Sequence, residues 1–182
     1  MNLVPMMLLW LVISVIGWGF VFTRITTFSP EEKIALYVDG EVPGAEKIAA
    51  FLMEEAHPAI RTVEVRPFTY AMFGGDELRQ ADLFIVPESN LETYREFFAP
   101  WPEEMGTEGD FHTWDGVPWG LKVYDKETGM GFGLAHIAYE VPYQEKQDYY
   151  LFFGNQSCHL EGNEGAVDNL AVEYAKKFML RK

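Results

Sequence analysis

Asp82–Val86, DLFIV, sets four apolar side chains in unbroken succession behind a single aspartate. A strand with one face in water alternates polar and apolar residues, whereas a strand covered on both faces does not. Short continuous apolar runs therefore belong to parallel sheets with helices packed on either side. Upstream, Ile60–Val65, IRTVEV, alternates in period two and reads as a second strand, which Pro67 ends. Before it, Pro43 and Gly44 open a helix in which Ala45, Ile48, Ala49 and Leu52 recur at helical spacing, and His57-Pro58 closes it. Earlier still, Lys33–Val38, KIALYV, is a buried strand bounded by the turn signal Asp39-Gly40. Tyr70–Gln80 is ambiguous, with Asp76 placed to cap a short helix. Downstream of the quoted run, Ser89 and Glu92 have capping-box spacing, and Leu91, Tyr94 and Phe98 give the following helix an apolar stripe.

Strand, helix, strand, partial helix, strand, helix is the alternation that builds a parallel sheet through crossover connections. The pattern stops at Ala99–Gly116, the longest irregular stretch. Val117–Tyr124, Gly133–Tyr139 and Asp148–Phe153 then read as strands whose connections are too short for helices, so they pair antiparallel or lie at an edge. Asn163 is placed to cap a last helix with Val167, Leu170, Ala171, Tyr174 and Phe178 on one face. The expected fold class is α/β: one three-layer domain with a mixed, largely parallel sheet, over residues 33–182.

Ahead of that domain, no charged residue occurs between Met1 and Arg24. About twenty residues at ~1.5 Å each span a hydrocarbon core of ~30 Å, so residues 3–23 read as a transmembrane helix. Residues 1–24 are then a membrane anchor and 25–32 a polar connector. A cleaved signal peptide is the competing reading, with Gly17 and Gly19 as small residues; against it, the apolar run continues to Phe22 and lacks a basic leader. The only cysteine is Cys158, which excludes a lipid-modified cysteine after the apolar run, an internal disulfide and a multi-thiolate zinc site.

The chain carries 14 Lys and Arg against 28 Asp and Glu, a formal net charge of −14. Such a surface repels phosphate backbones, which excludes nucleic acid as an expected partner. Solubility is the plain explanation of the acidity.

The order of strands and helices from Lys33 to Val86, with its capped helix after Val86, resembles the opening lobe of bacterial extracytoplasmic solute-binding proteins. Asp115-Gly-Val-Pro-Trp-Gly120 is similar to an Asp-Gly-x-x-Tyr-Gly element that family often carries where the chain enters its ligand cleft. The resemblance covers roughly Lys33 to Leu121, one lobe of a two-lobed clamshell. It implies a domain outside the cytoplasmic membrane, held there by residues 3–23. Its expected partners are a transporter or other membrane protein and a sugar or other small solute. It also puts ligand contacts at the carboxyl ends of the parallel strands. The residues so marked are Asp39, Tyr70 within the segment from Phe68 to Gly74, and Glu88 between Pro87 and Ser89.

Aromatic residues beside carboxylates mark a second region. Trp101, Trp114, Trp119 and Tyr124, with Asp110 and Asp115 among them, suit either a loop packed by its own rings or a surface on which sugars stack. Trp114, Asp115 and Trp119 are therefore added as binding candidates. The one reactive grouping is His136, Cys158 and His159, either a small hydrolase centre or a buried cysteine with a hydrogen-bonded histidine. Neighbours on an extended chain point to opposite faces, so Cys158 and His159 are not expected to serve each other. His57, His112, His136 and His159 lie too far apart for a metal motif, and no phosphate-binding or dinucleotide loop occurs, so no metal or cofactor is expected.

Overall fold

The computed structural model describes residues 3–26, 28–69, 72, 75–106, 108–140 and 145–180, with side chains in the first helix described for Met7 and residues 9–19. Helix α1 runs over Leu3–Thr26. Its described apolar side chains stand exposed at consecutive positions around the helix, from Leu9 at 60% to Trp18 at 74%. Among the described residues no helix is long and apolar enough to cross a membrane. The stretch of α1 with described side chains is itself shorter than a bilayer span.

Among the described residues seven strands form one sheet: β1 (Lys33–Val38), β2 (Thr62–Pro67), β3 (Leu83–Pro87), β4 (Phe98–Ala99), β5 (Phe111–Trp114), β6 (Val117–Tyr124) and β7 (Tyr149–Gly154). Their order is β2-β1-β3-β7-β6-β5, with β4 also paired to β7. β1 pairs in parallel with both β2 and β3. β7 runs antiparallel to β3, and the chain continues antiparallel through β6 and β5. The sheet is thus mixed, with its parallel part confined to β2, β1 and β3.

Helices α2 (Ala45–Met53) and α5 (Leu170–Met179) supply one covering layer. Period-two alternation in β1 sends Ile34, Leu36 and Val38 into a core shared with Ile48, Leu52, Tyr174 and Phe178. Ala35 and Tyr37 face the other way, into a second core with Phe84, Val86, Phe98 and Phe152. The short helices α3 (Asp76–Arg79) and α4 (Leu91–Tyr94) bring Leu78, Leu91 and Tyr94 to that side. Two buried faces account for the unbroken apolar run in β3. Each fully buried Leu, Ile or Phe contributes roughly 1.5–3 kcal/mol.

Several local expectations are corrected. Gly133–Tyr139 is a series of turns with an isolated bridge between Glu41 and Ala138, and its Tyr139 ring stacks on Tyr124 of β6. Gly133 sits at φ 67°, and its carbonyl accepts from both His136 and Ile137 N–H groups, which coils the segment. The Ser89–Glu92 capping box does not form: the Ser89 amide donates to Gln147, and the Glu92 carboxylate accepts from Trp114 Nε1 at 2.7 Å. The final helix starts at Leu170 rather than near Asn163. Gly162 and Gly165 have left-handed φ, Val167 is exposed, and the Asp168 carboxylate accepts the Leu170 N–H at 3.1 Å. Asp76 is the first residue of α3 rather than its cap.

Candidate functional site

The carboxyl ends of β1, β2 and β3 stop beside one another and leave an open cleft of about 580 Å³. Parallel strands end together because each is followed by a return connection on a face of the sheet. The crevice beyond them is where open α/β sheets take ligands. Asp39 and Gly40 follow β1, Pro67 to Thr69 close β2, Pro87 ends β3, and Ser89 and Asn90 come after it. The antiparallel direction of β7 brings its first residue to the same edge, with Tyr149 opposite Pro87, so Gln147 and Tyr149 join the lining. Met72 and Glu41 complete the wall.

Asp39 is the half-buried carboxylate of this cleft. Asn90 Nδ2 donates to its Oδ2 at 2.6 Å, and Ser89 Oγ donates to Asn90 Oδ1 at 3.3 Å, a relay that orients the carboxylate. Burial raises the Asp39 pKa above its ordinary value against the lowering effect of hydrogen bonds from Asn90 and Tyr94. The Tyr149 hydroxyl is also pushed up, by burial and then by the charge of Asp39.

The other binding candidates lie elsewhere. Tyr70 falls outside the described residues. Glu88 follows β3 but pairs with Lys126 at 3.0 Å and does not line the cleft. Neither do Trp114, Asp115 and Trp119. Trp114 is buried at 7% exposure, packed by Phe98, Phe152, His112 and Trp119, with the Arg95 guanidinium 5.0 Å from its ring. It is a core ring with no face open to a sugar. Asp115 and Gly116, at φ 54° and 79°, form the two-residue turn between β5 and β6. The Asp115 side chain is exposed there and pairs with Arg95 at 3.1 Å. The Asp-Gly element is therefore a hairpin tip, not a cleft entrance.

The grouping His136, Cys158 and His159 also resolves. The His136 side chain packs over Gly44 at the start of α2, where a Cβ on Gly44 would come within 2.5 Å of the His136 Cβ and 2.6 Å of its Nδ1. Cys158 is half-buried in the turns after β7. Because that segment is turned rather than extended, the Cys158 side chain does neighbour the His159 ring, contrary to the expectation for a strand. His159 is fully buried. Its Nδ1 lies 2.8 Å from Asp168 Oδ1, and its Nε2 lies 3.1 Å from the carbonyl oxygens of both Pro30 and Lys33. Oxygen acceptors on both nitrogens define an imidazolium. Burial pulls the His159 pKa down, but the Cys158 side chain, the Asp82 charge and the Asp168 hydrogen bond outweigh it and lift it to about 10. A ring donating from both nitrogens has no lone pair with which to take a proton from a thiol.

Sequence reasoning missed the rest of this buried network. Asp82 accepts from the Ala35 amide at 2.7 Å and from the Ser157 hydroxyl, while Ser157 Oγ accepts from the His159 amide at 3.0 Å. Burial raises the Asp82 pKa to about 6 against those hydrogen bonds and the charge of His159. The network ties the start of β1, the entry to β3 and the approach to α5 into one unit. Lys122 forms a separate knot on the sheet edge, within 2.6 Å of Asp110 and 3.2 Å of Asp148. Among the described residues no group of His, Cys, Asp and Glu is arranged to hold a metal.

No family model matches the chain, and no match is found among curated proteins. Among solved structures, thiaminase I from Bacillus thiaminolyticus is similar at 13% identity and a TM-score of 0.35. That match covers 50% of this chain and 28% of the thiaminase chain.

Proposed function

We propose that this chain is a membrane-tethered binding domain, held by α1 on the extracytoplasmic side and taking a small solute in the cleft at the carboxyl ends of β1, β2 and β3. The observation that carries the binding reading is the cleft itself: a preoriented carboxylate, amide side chains and aromatic walls converge where α/β sheets present ligands. The tether reading is supported by a 24-residue helix whose described apolar side chains are exposed all round. A helix apolar on every side needs a nonaqueous surrounding. The outward placement and service to a transporter follow from the solute-binding resemblance. One lobe cannot close on its ligand alone, so a membrane partner completes the device.

Thermal-shift screening of the full chain in detergent micelles against sugars, amino acids and short peptides tests the binding reading. A saturable rise in Tm is expected, abolished by Ser89→Trp, which fills the cleft mouth. No stabilisation by any solute at millimolar concentration refutes it.

A further inference from the structure

We infer that the cleft selects small organic cations, with the ligand's positive nitrogen seated against Asp39 and Glu41 at the rim. This rests on the proposal that the cleft is a solute site and assigns the charge of what enters it.

The first ground is the charge of the wall. Asp39 and Glu41 are the charged side chains among the described residues that line the cleft, and both are acidic. Lysines on neighbouring elements are held by other acids: Lys126 by Glu88 at 3.0 Å, Lys146 by Glu140 at 2.7 Å, and Lys122 by Asp110. An anionic solute entering here meets two carboxylates and, among the described residues, no lining cation, with the whole chain at −14 behind them.

The second ground is acceptor capacity. An ionised carboxylate has about four lone-pair sites. Among the described residues, the Asn90 amide and the Tyr94 side chain donate to Asp39. An ammonium supplies the further donors, and its charge offsets the cost of holding a half-buried carboxylate ionised.

The third ground is the remainder of the wall. Pro67, Phe68, Met72, Pro87 and Tyr149 give the cleft an apolar body, and Tyr149 stands beside the acid, near enough for its hydroxyl to feel the Asp39 charge. A carboxylate beside an apolar wall suits an alkylammonium, whose charge meets the acid while its alkyl groups meet Pro67 and Met72.

Choline, its neutral isostere 3,3-dimethylbutan-1-ol, and butyrate, titrated into the full chain in detergent micelles at physiological ionic strength, test the inference. Choline is expected to raise Tm saturably, and the alcohol and butyrate are not. Asp39→Asn, which keeps the shape of the side chain, is expected to weaken choline binding about tenfold or more. Glu41→Gln gives a smaller loss in the same direction and serves if the Asp39 variant does not fold. Glu145→Gln, an exposed acid outside the cleft, leaves binding unchanged; an equal loss there shows nonspecific attraction and overturns the inference. If the alcohol or a sugar binds in the cleft while choline does not, the cation assignment fails and the solute site stands. If neither these probes nor the wider solute screen stabilise the chain, both fail.

Discussion

His159 and Asp168 are joined at 2.8 Å across the turns that lead into α5, and the far side of the same ring faces the carbonyls of Pro30 and Lys33. One buried imidazolium thus fastens the approach to α5 to the start of β1. Removing either partner leaves the other buried or half-buried without its counter-charge, which typically costs about 3–5 kcal/mol. His159→Ala is expected to lower the stability of the full chain by roughly that amount, and Asp168→Asn by less, because Asp168 is partly exposed and an amide oxygen still accepts from the ring. Urea denaturation in micelles measures both. A loss under about 1 kcal/mol for His159→Ala would show that the ring is not a structural clasp.

The same network fixes a pH dependence. His159 is lifted from 6.5 to about 10 in the folded chain, so the stability it contributes is complete below 6.5 and is lost as pH rises through about 10. Asp82 is lifted from 3.8 to about 6, so its protonated form favours the folded state below 3.8, and that contribution is lost as pH rises through about 6. Both slopes have the same sign. Tm is expected to fall between pH 6.5 and 10. His159→Gln should flatten that alkaline limb and, by removing the positive charge that lowers Asp82, move the acid limb to higher pH. An unchanged alkaline limb in the variant would assign the titration to another group.

Ranges and polarity of this fold were readable where local pattern is decisive. The run DLFIV marked β3 because both of its faces are buried, and Val117–Tyr124 coincides with β6. Where the reading failed, a distant contact overruled the local signal. Glu92 had the spacing of a capping residue, but Trp114 of β5 donates to its carboxylate. GLAHIAY had the composition of a strand, but the left-handed φ of Gly133 turns it. The Asp115-Gly116 pair is a strong hairpin signal between Trp114 and Val117, and that signal was open to a plainer reading than a cleft entrance. At the site, the strand-end argument named Asp39, which lines the cleft, and Glu88, which does not, while Ser89 stood only as the bound of that segment. Asn90 adjoins Ser89 and was within reach of the same argument. Gln147 and Tyr149 were not, because they enter through the antiparallel register of β7 on β3, which no local pattern encodes.

Trp114 separates a packing role from a binding role. Its indole is buried among Phe98, Phe152 and His112 and donates to Glu92, so Trp114→Ala opens a large cavity and is expected to cost about 3–5 kcal/mol. Trp119 is only partly buried beside it and should cost less on truncation. Neither ring lines the cleft, so the affinity of the folded Trp119→Ala variant for a cleft ligand should match that of the unmodified chain. A loss of affinity about tenfold or greater, with Tm nearly unchanged, would return the aromatic region to the list of binding surfaces.

The tether is tested through the middle of α1. Val12 and Ile16 lie one turn apart, near the centre of a run without charge between Met1 and Arg24. An aspartate at the centre of a spanning helix costs about 2.5–3.5 kcal/mol of insertion free energy, so two of them remove most of the preference for the bilayer. In water the same change makes an exposed apolar helix more soluble and leaves the α/β domain untouched. The unmodified chain is expected to stay in the membrane pellet after alkaline carbonate extraction, and the variant carrying Val12→Asp with Ile16→Asp to move to the supernatant while keeping its far-ultraviolet circular dichroism. Protease added outside intact cells should degrade the domain of the unmodified chain if it stands on the extracytoplasmic face, as proposed from the solute-binding resemblance. Extraction of the unmodified chain by carbonate would remove the tether. Protection from external protease with the chain still in the pellet would keep the tether and reverse the orientation.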